Sequence, residues 1–369
     1  MRSYLVFEFF FLLFSIVQLA GILAMKGYSR IPIKKLADTT KAALLTLGHS
    51  TEAAEIITDT LMYAELRANN QGLIKLVTGG LNTNPSVSAP ALSFESPVSA
   101  QVDGGRSIGM VVVHKAVTTA IQKAKATGIS VVGCTNYGSA TGALGAWAKM
   151  IADEGLIGIV LSQCSELMAP HGSYEPIFGT NPLAIGVPTK PRAQVLDMAT
   201  SACAYYGLKM AESEGKSIPN DVAYDNKGYP TTDPSEALKG ALRVFDRSYK
   251  GSHLALMVEL LAGSLTGASM DDKAQGGIWG SLVIAIDPCV LGPGNLETFQ
   301  ANASIMCDRV KNAKRLPGEE GNGELYLPGE RGDNVAAENE RLGSIPIADN
   351  VFSELEKLAE GAPPPVSAL

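Results

Sequence analysis

Between residues 111 and 215 the chain repeats one pattern, a helical stretch with a single apolar face alternating with short β-rich runs. "VVVHKAVTTAIQKAKATG" (111–128) puts Val113, Ala116, Val117, Ala120, Ile121 and Ala124 on one side of a helix. "ISVVGC" (129–134) reads as a strand, "GALGAWAKMIADEG" (142–155) as a helix and "LIGIVLS" (156–162) as the next strand. "LAIGVP" (183–188) and "AQVLDMA" (193–199) read as further strands, and "CAYYGLKMAESEG" (203–215) as a helix. Strands separated by helices of this length define an α/β fold whose sheet is at least partly parallel.

The flanks are more helical. Residues 39–67 read as a pair of amphipathic helices, broken near Gly48 and His49, with Ser50 placed to cap the second. Residues 82–104 are rich in Pro, Ser and Asn and mark a boundary with short extended pieces. "KGSHLALMVELLAGSLTGA" (250–268) is apolar all round, which predicts a buried helix. "SLVIAIDP" (281–288) is a short β run, and 295–315 and 350–360 are helical again. The resulting division is a hydrophobic segment 1–24, a helical domain from 26–100 with 295–360, and an α/β domain over 101–294.

"YLVFEFFFLLFSIVQLAGILA" (4–24) is long enough to span a bilayer, but it contains Glu8 and lacks a good small-residue cleavage pattern. Met25 follows, and "MKGYSRIPIKKLADTT" reads like a natural beginning. A start placed too early, a signal peptide and a membrane anchor all stay open; without the segment, nothing calls for a membrane. The formal charge of −7, with Lys and Arg scattered, argues against a nucleic-acid partner. Five cysteines without CxxC spacing suit reduced thiols in a cytoplasmic compartment. None of the four histidines sits in an HExxH, and no metal site is expected.

No GxGxxG opens a helix after a strand, and "EGKS" (214–217) lacks the earlier glycine of a phosphate loop, because Met210 stands there. A dinucleotide would therefore need a non-Rossmann site. The most specific text is "FGTNPLAIGVPTKPRAQVLDMATS" (178–201): a turn feeding one strand, then Asp197 ending the next beside small residues. A carboxylate at a strand's carboxyl end suits ligand binding, and it equally suits capping of the helix that follows.

With "GTNPLAIGVP", "VLDMATS", "IPNDVAYDNKGYPTTDPSEAL", "KGSHLALMVELLAGSLTGA", "VIAIDP" and "LPGERG" in this order, residues 26–358 resemble the type-2 malate/L-lactate dehydrogenases. These are NAD(P)-dependent oxidoreductases, among them ureidoglycolate dehydrogenase, diketogulonate reductase and piperideine-2-carboxylate reductase. The resemblance implies a mixed sheet without a Rossmann fingerprint, a helical domain built from the N- and C-terminal parts, NAD or NADP as cofactor, and a homodimer. It places Asp197, Met198 and Ala199 at the cofactor, with Lys250, Gly329, Glu330, Arg331 and Cys164, and with Thr180 of the GTNP turn. Lys250 and Arg331 are reasonable partners for phosphate charge, or else ordinary solvated side chains.

"LRANNQGLIKL" (66–76) then acquires two readings. Asn and Gly suit a plain helix C-terminus, because both tolerate left-handed backbone. The resemblance instead puts Asn70 and Gln71 where the family carries Ser and a proton-transferring His, with Lys75 as the holder of a substrate carboxylate. A second family histidine is replaced in "NYGSATGALG", and an assisting aspartate aligns with Gly207. Gln71 can polarise a carbonyl by hydrogen bonding but cannot deliver a proton. Three readings follow: His171, in a loop, serves as a substitute acid; the acceptor is a cyclic imine that arrives protonated; or the protein binds cofactor without turnover. The expected function is hydride transfer between NAD(P)H and a small 2-oxo, 2-hydroxy or cyclic imino acid, with the non-catalytic binding protein as the alternative.

Overall fold

The computed structural model describes residues 27–365 except 84–85, 271–278, 293 and 318–322; the hydrophobic segment 1–24 lies outside the described residues. From edge to edge, the central sheet runs β2 (Ala91–Glu95), β3 (Ser99–Asp103), β4 (Ile129–Tyr137), β10 (Trp279–Ile286), β5 (Ile157–Ser162), β6 (Leu183–Val187) and β7 (Gln194–Met198). Only β3 and β4 pair in parallel; every other neighbouring pair is antiparallel. The fold class is thus the expected mixed α/β sheet, with less parallel pairing than the strand–helix alternation suggests.

The reason lies in β10. It enters antiparallel between β4 and β5, with Val283 facing Val132 on one side and Val160 on the other. A strand buried on both faces reads as a continuous apolar run, and WGSLVIAI is one. Nothing local in that run says which neighbours it takes. Helix α4 (Gly109–Thr127) connects β3 to β4, and α5 (Leu144–Asp153) carries the chain from β4 to β5.

Helices α4 and α5 cover one face of the sheet. Against them packs α2 (Thr51–Leu66), with α1 (Ile33–Thr46) on α2 and α11 (Asp349–Ala359) on α1, so that Leu36, Ile57, Val117, Trp147, Val160 and Leu355 belong to one continuous core. A two-stranded ribbon of β1 (Tyr28–Pro32) and β11 (Ser344–Ala348) joins the segments that lead into α1 and α11. A second ribbon pairs β8 (Ala223–Tyr224) with β9 (Ala241–Leu242), and α7 (Pro234–Lys239), α9 (Leu296–Lys311) and α10 (Glu330–Leu342) are further described helices. The turn α3 (Ile74–Val77), which follows α2 and packs on α11, carries Lys75.

The other face is covered by α8 (Tyr249–Ala262), through Val258 and Ala262 against Leu161, Leu183 and Leu282. This corrects the expectation of a helix buried all round. Only the stripe Gly251, Ser252, Ala255, Val258, Glu259 and Ala262 is buried, whereas Met257, Leu260 and Leu261 are 47%, 43% and 41% exposed. Apolarity around a whole helix shows that its second face avoids water, not that the same chain covers it.

Among the described residues no helix is long and apolar enough to cross a membrane.

Candidate active site

Helix α2 stops at Leu66, and the next residues settle what the asparagines are for. The left-handed position that ends the helix is taken by Ala68, with φ of 52°, and the N–H of Asn69 returns to the Ala64 carbonyl at 2.9 Å. Holding alanine there costs on the order of 1–3 kcal/mol. Asn69, Asn70 and Gln71 are not the cap; all three line a cavity of about 310 Å³.

The loop is pinned from behind. Glu65 on the last turn of α2 accepts the Leu73 N–H at 2.6 Å, and burial pushes its carboxyl up to about 7. A Cβ on Gly72 would stand 2.1 Å from the Glu65 Oε1, so glycine is needed there for space. Within the loop, Gln71 Nε2 donates to Asn70 Oδ1 at 3.1 Å, and the Gln71 N–H donates to Asn69 Oδ1 at 3.0 Å. The two amides are therefore held as a pair at the cavity wall.

Lys75 enters the same cavity from α3. It is 3% exposed, and its Nζ stands 3.9 Å from the centre of the Tyr206 ring, on α6 (Tyr205–Ser213). Burial pulls its ammonium down to about 7, while the nearby Cys164 thiol acts in the opposite direction. Among the described lining residues Lys75 is the one cation and Asp197 the one carboxylate.

Asp197 lies on β7 where the strand meets the cavity. It is open to the cleft yet enclosed by protein on most sides, and this desolvation pushes its carboxyl up to about 6. Its Oδ2 accepts the Gly145 N–H at 2.8 Å, in the first turn of α5. The carboxylate thus does cap a helix, though α5 and not the helix that follows it in sequence. A Cβ on Gly145 would meet Asp197 Oδ2 at 2.9 Å, which keeps this approach open only to glycine.

Met198, Ala199, Thr180 and Cys164 complete this wall, with Cys164 Sγ 3.8 Å from Thr180 Oγ1. The cavity thereby gathers Asn70, Gln71, Lys75, Cys164, Thr180, Asp197, Met198 and Ala199 from four separate stretches of sequence. It does not include His171, which is exposed in its loop with its N–H donated to Ser252 Oγ at 3.2 Å. Lys250 is exposed at the start of α8. Gly329 and Arg331 are exposed beside the outer edge of β7, where the Val195 N–H donates to the Pro328 carbonyl at 3.2 Å. Glu330 is taken up in ion pairs, with Lys311 at 2.9 Å and Arg192 at 3.3 Å.

Sequence reasoning missed several lining groups. Tyr205 and Tyr206 stand in a helical run that drew attention only as an element. Trp279 reaches the cavity because β10 is threaded through the centre of the sheet, and no local signal announces that. Glu65, which holds the loop from behind without lining the cavity, was detectable in principle as a carboxylate on α2 next to the buried Ala64. The lining suits the amide-bearing end of a nicotinamide dinucleotide: the buried Trp279 Nε1 has no hydrogen-bond partner among the described residues, and Thr180 and Asp197 offer further polar atoms. No group of His, Cys, Asp and Glu among the described residues has the arrangement of a metal site.

Comparison with known proteins agrees with this geometry. The sequence profile of the malate/L-lactate dehydrogenases matches residues 31–356. Malate dehydrogenase of Pyrococcus horikoshii is 33% identical over 360 residues, covering 91% of this chain and 96% of the relative. Delta(1)-pyrroline-2-carboxylate reductase of Ancylobacter novellus is 33% identical over 349 residues, 89% of this chain and 97% of the relative. Among solved structures, malate dehydrogenase from Entamoeba histolytica superimposes with a TM-score of 0.82 at 26% identity, covering 92% of this chain and 100% of that one.

Proposed function

The chain belongs to the malate/L-lactate dehydrogenase family, and on that premise we propose that it reduces a small 2-oxo acid or cyclic 2-imino acid with NADH or NADPH. The observation that carries this reading is Lys75: one buried cation, set beside two neutral amides, in a cavity also lined by Asp197, Met198 and Ala199. A buried ammonium without a carboxylate partner among the described residues is costly, and an anionic substrate offsets that cost. The relatives whose names specify malate or pyrroline-2-carboxylate are consistent with a substrate of this size and charge.

When bound, the dinucleotide supplies the hydride. Thr180, Cys164, Asp197, Met198 and Ala199 would hold its nicotinamide end, and Trp279 Nε1 offers an unused donor beside them. Gly329, Glu330 and Arg331, at the outer edge of β7, and Lys250 are assigned to the rest of the dinucleotide, which is longer than the cavity. Lys75 pairs with the substrate carboxylate. Asn70 and Gln71 donate hydrogen bonds to the reacting oxygen or nitrogen and fix its orientation.

The test is fluorescence titration with NADH and with NADPH, using protein that begins at Met25, followed by challenge with 2-oxo acids and cyclic imino acids. Oxidation of the cofactor by either class supports the reading, and the tighter cofactor identifies the dinucleotide. Binding without turnover would favour the non-catalytic alternative. Absence of binding would remove the cofactor roles given to Asp197, Lys250 and Arg331.

A second copy of this chain is the proposed cover for the exposed face of α8, where Leu256, Met257, Leu260 and Leu261 are exposed, with Leu265 exposed just beyond the helix. Lys250 opens the same helix, so this dimer would close over the cofactor edge of the site. Light scattering should give twice the chain mass for the wild type, and the double variant Met257→Glu, Leu260→Glu should give the single-chain mass. Five free cysteines support a reducing, cytoplasmic setting.

A further inference from the structure

Reduction of a carbonyl consumes a proton as well as a hydride, and the titratable groups lining the cavity can be compared for that task. The candidates are Lys75, Cys164, Asp197, Cys203, Tyr205 and Tyr206. Asp197 is bound to the Gly145 N–H and, with its carboxyl raised only to about 6, is mostly ionised at neutral pH. Burial drives the Cys203 thiol up to about 11 and raises both tyrosines, so these groups hold their protons too tightly, and the Cys164 Sγ is engaged with Thr180 Oγ1 at 3.8 Å and the Ser165 carbonyl at 3.7 Å, on the wall given to the cofactor.

Lys75 differs in placement. Its ammonium is buried against the face of Tyr206, and no carboxylate among the described residues pairs with it. The side chains beside it on the preceding loop, Asn70 and Gln71, are neutral amides that accept or donate hydrogen bonds but do not exchange protons near neutrality. Its electrostatic neighbours are the Cys164 thiol and the Tyr206 ring, and α11, packed against the same turn, adds the apolar Leu355 and Leu358 to the common core.

We infer that Lys75 is the general acid of the reaction as well as the anchor of the substrate carboxylate. This rests on the dehydrogenase reading above. As hydride reaches C2 of the 2-oxo acid, the C=O π pair moves to oxygen and takes a proton from Lys75 Nζ. The products are the 2-hydroxy acid, the oxidised dinucleotide and a neutral lysine amine, which regains its proton from water. A lysine poised in this way is half charged near neutral pH, and burial accounts for it: the ammonium is pulled down to about 7.

Two measurements test this. The first is read on the wild-type protein without cofactor: acylation of Lys75 by an amine-selective reagent, followed by mass spectrometry across pH. A labelling midpoint near neutrality supports the assignment, and a midpoint above about 9, in the ordinary lysine range, overturns it. The second is Lys75→Arg, which keeps the cation but gives up no proton at this pH. KM for a 2-oxo acid should change only a few-fold while kcat falls by about 10² or more, the usual share of a general acid. A cyclic iminium substrate, which needs no proton, should lose much less. If K75R matches the wild type on the 2-oxo acid, Lys75 is an anchor only and this inference fails by itself. If the wild type turns over neither class, the dehydrogenase reading fails and takes the inference with it.

Discussion

Lys75→Met should fold more stably than the wild type at neutral pH and reduce a 2-oxo acid about 10³-fold less efficiently. The catalytic half follows from what the ammonium does. Removing one partner of a desolvated charge pair costs roughly 2–5 kcal/mol, and each 1.4 kcal/mol is a factor of ten. A general acid adds roughly 10²- to 10⁴-fold. The two roles share one atom and do not add, so about 10³ in kcat/KM is the reasonable expectation.

The stability half has the opposite sign. Met is unbranched and apolar, so it can occupy the same channel beside Tyr206 without a charge to desolvate. The folded ammonium sits near 7 against an ordinary 10.5, so between those values the unfolded chain binds more protons than the folded one. Wild-type stability therefore rises with pH across that window, and below it the penalty of burying the charge is fully present. The gain in Lys75→Met, on the order of a few kcal/mol, should be largest at pH 6.5 and shrink by pH 9.5. Urea melts at the two pH values measure it. A variant less stable than the wild type at pH 6.5 would show that the ammonium is well solvated, and would undercut both halves at once.

How much of this was legible in the sequence differs by link. Helices α4 and α5 and strands β4 to β7 announce themselves because their apolar periods are local properties. The position of β10 is not local: Val283 could face any apolar strand, and its insertion between Val132 and Val160 depends on crossovers on both sides. The cavity inherits the same division. Asp197 and its small neighbours could be suspected from a strand end, and Lys75 only through the family resemblance. Trp279 and Tyr206 could not, since they reach the site through packing of elements far apart in the chain. The asparagines show where local reasoning has a limit. Composition made them good helix terminators, yet Ala68 occupies the left-handed position and the amides face the cavity. A weaker local choice was retained while the polar side chains went to the site, the kind of local conflict that functional positions show.

Asp197→Asn should weaken NADH binding by about tenfold to hundredfold and remove the pH dependence that the wild type shows below pH 7. Asparagine keeps an oxygen to accept the Gly145 N–H, so the start of α5 stays capped; what it loses is the charge available to a second donor from the cofactor. In the wild type that charge exists only above a carboxyl value of about 6, raised by desolvation. Affinity should therefore fall as pH drops through 6, whereas the variant should give a flat profile. Stability moves the other way. The folded carboxyl lies above its ordinary 3.8, so the folded chain binds more protons between about 4 and 6, and wild-type stability declines as pH rises through that window. Asp197→Ala removes the cap as well as the charge, and should lose stability at neutral pH relative to Asp197→Asn by roughly 1 kcal/mol, the scale of a lost cap. Fluorescence titration of NADH from pH 5 to 8 on all three proteins separates the roles. Equal affinity in Asp197→Asn and the wild type would confine Asp197 to holding α5, and the cofactor assignment would then rest on Thr180, Trp279 and the β7 edge alone.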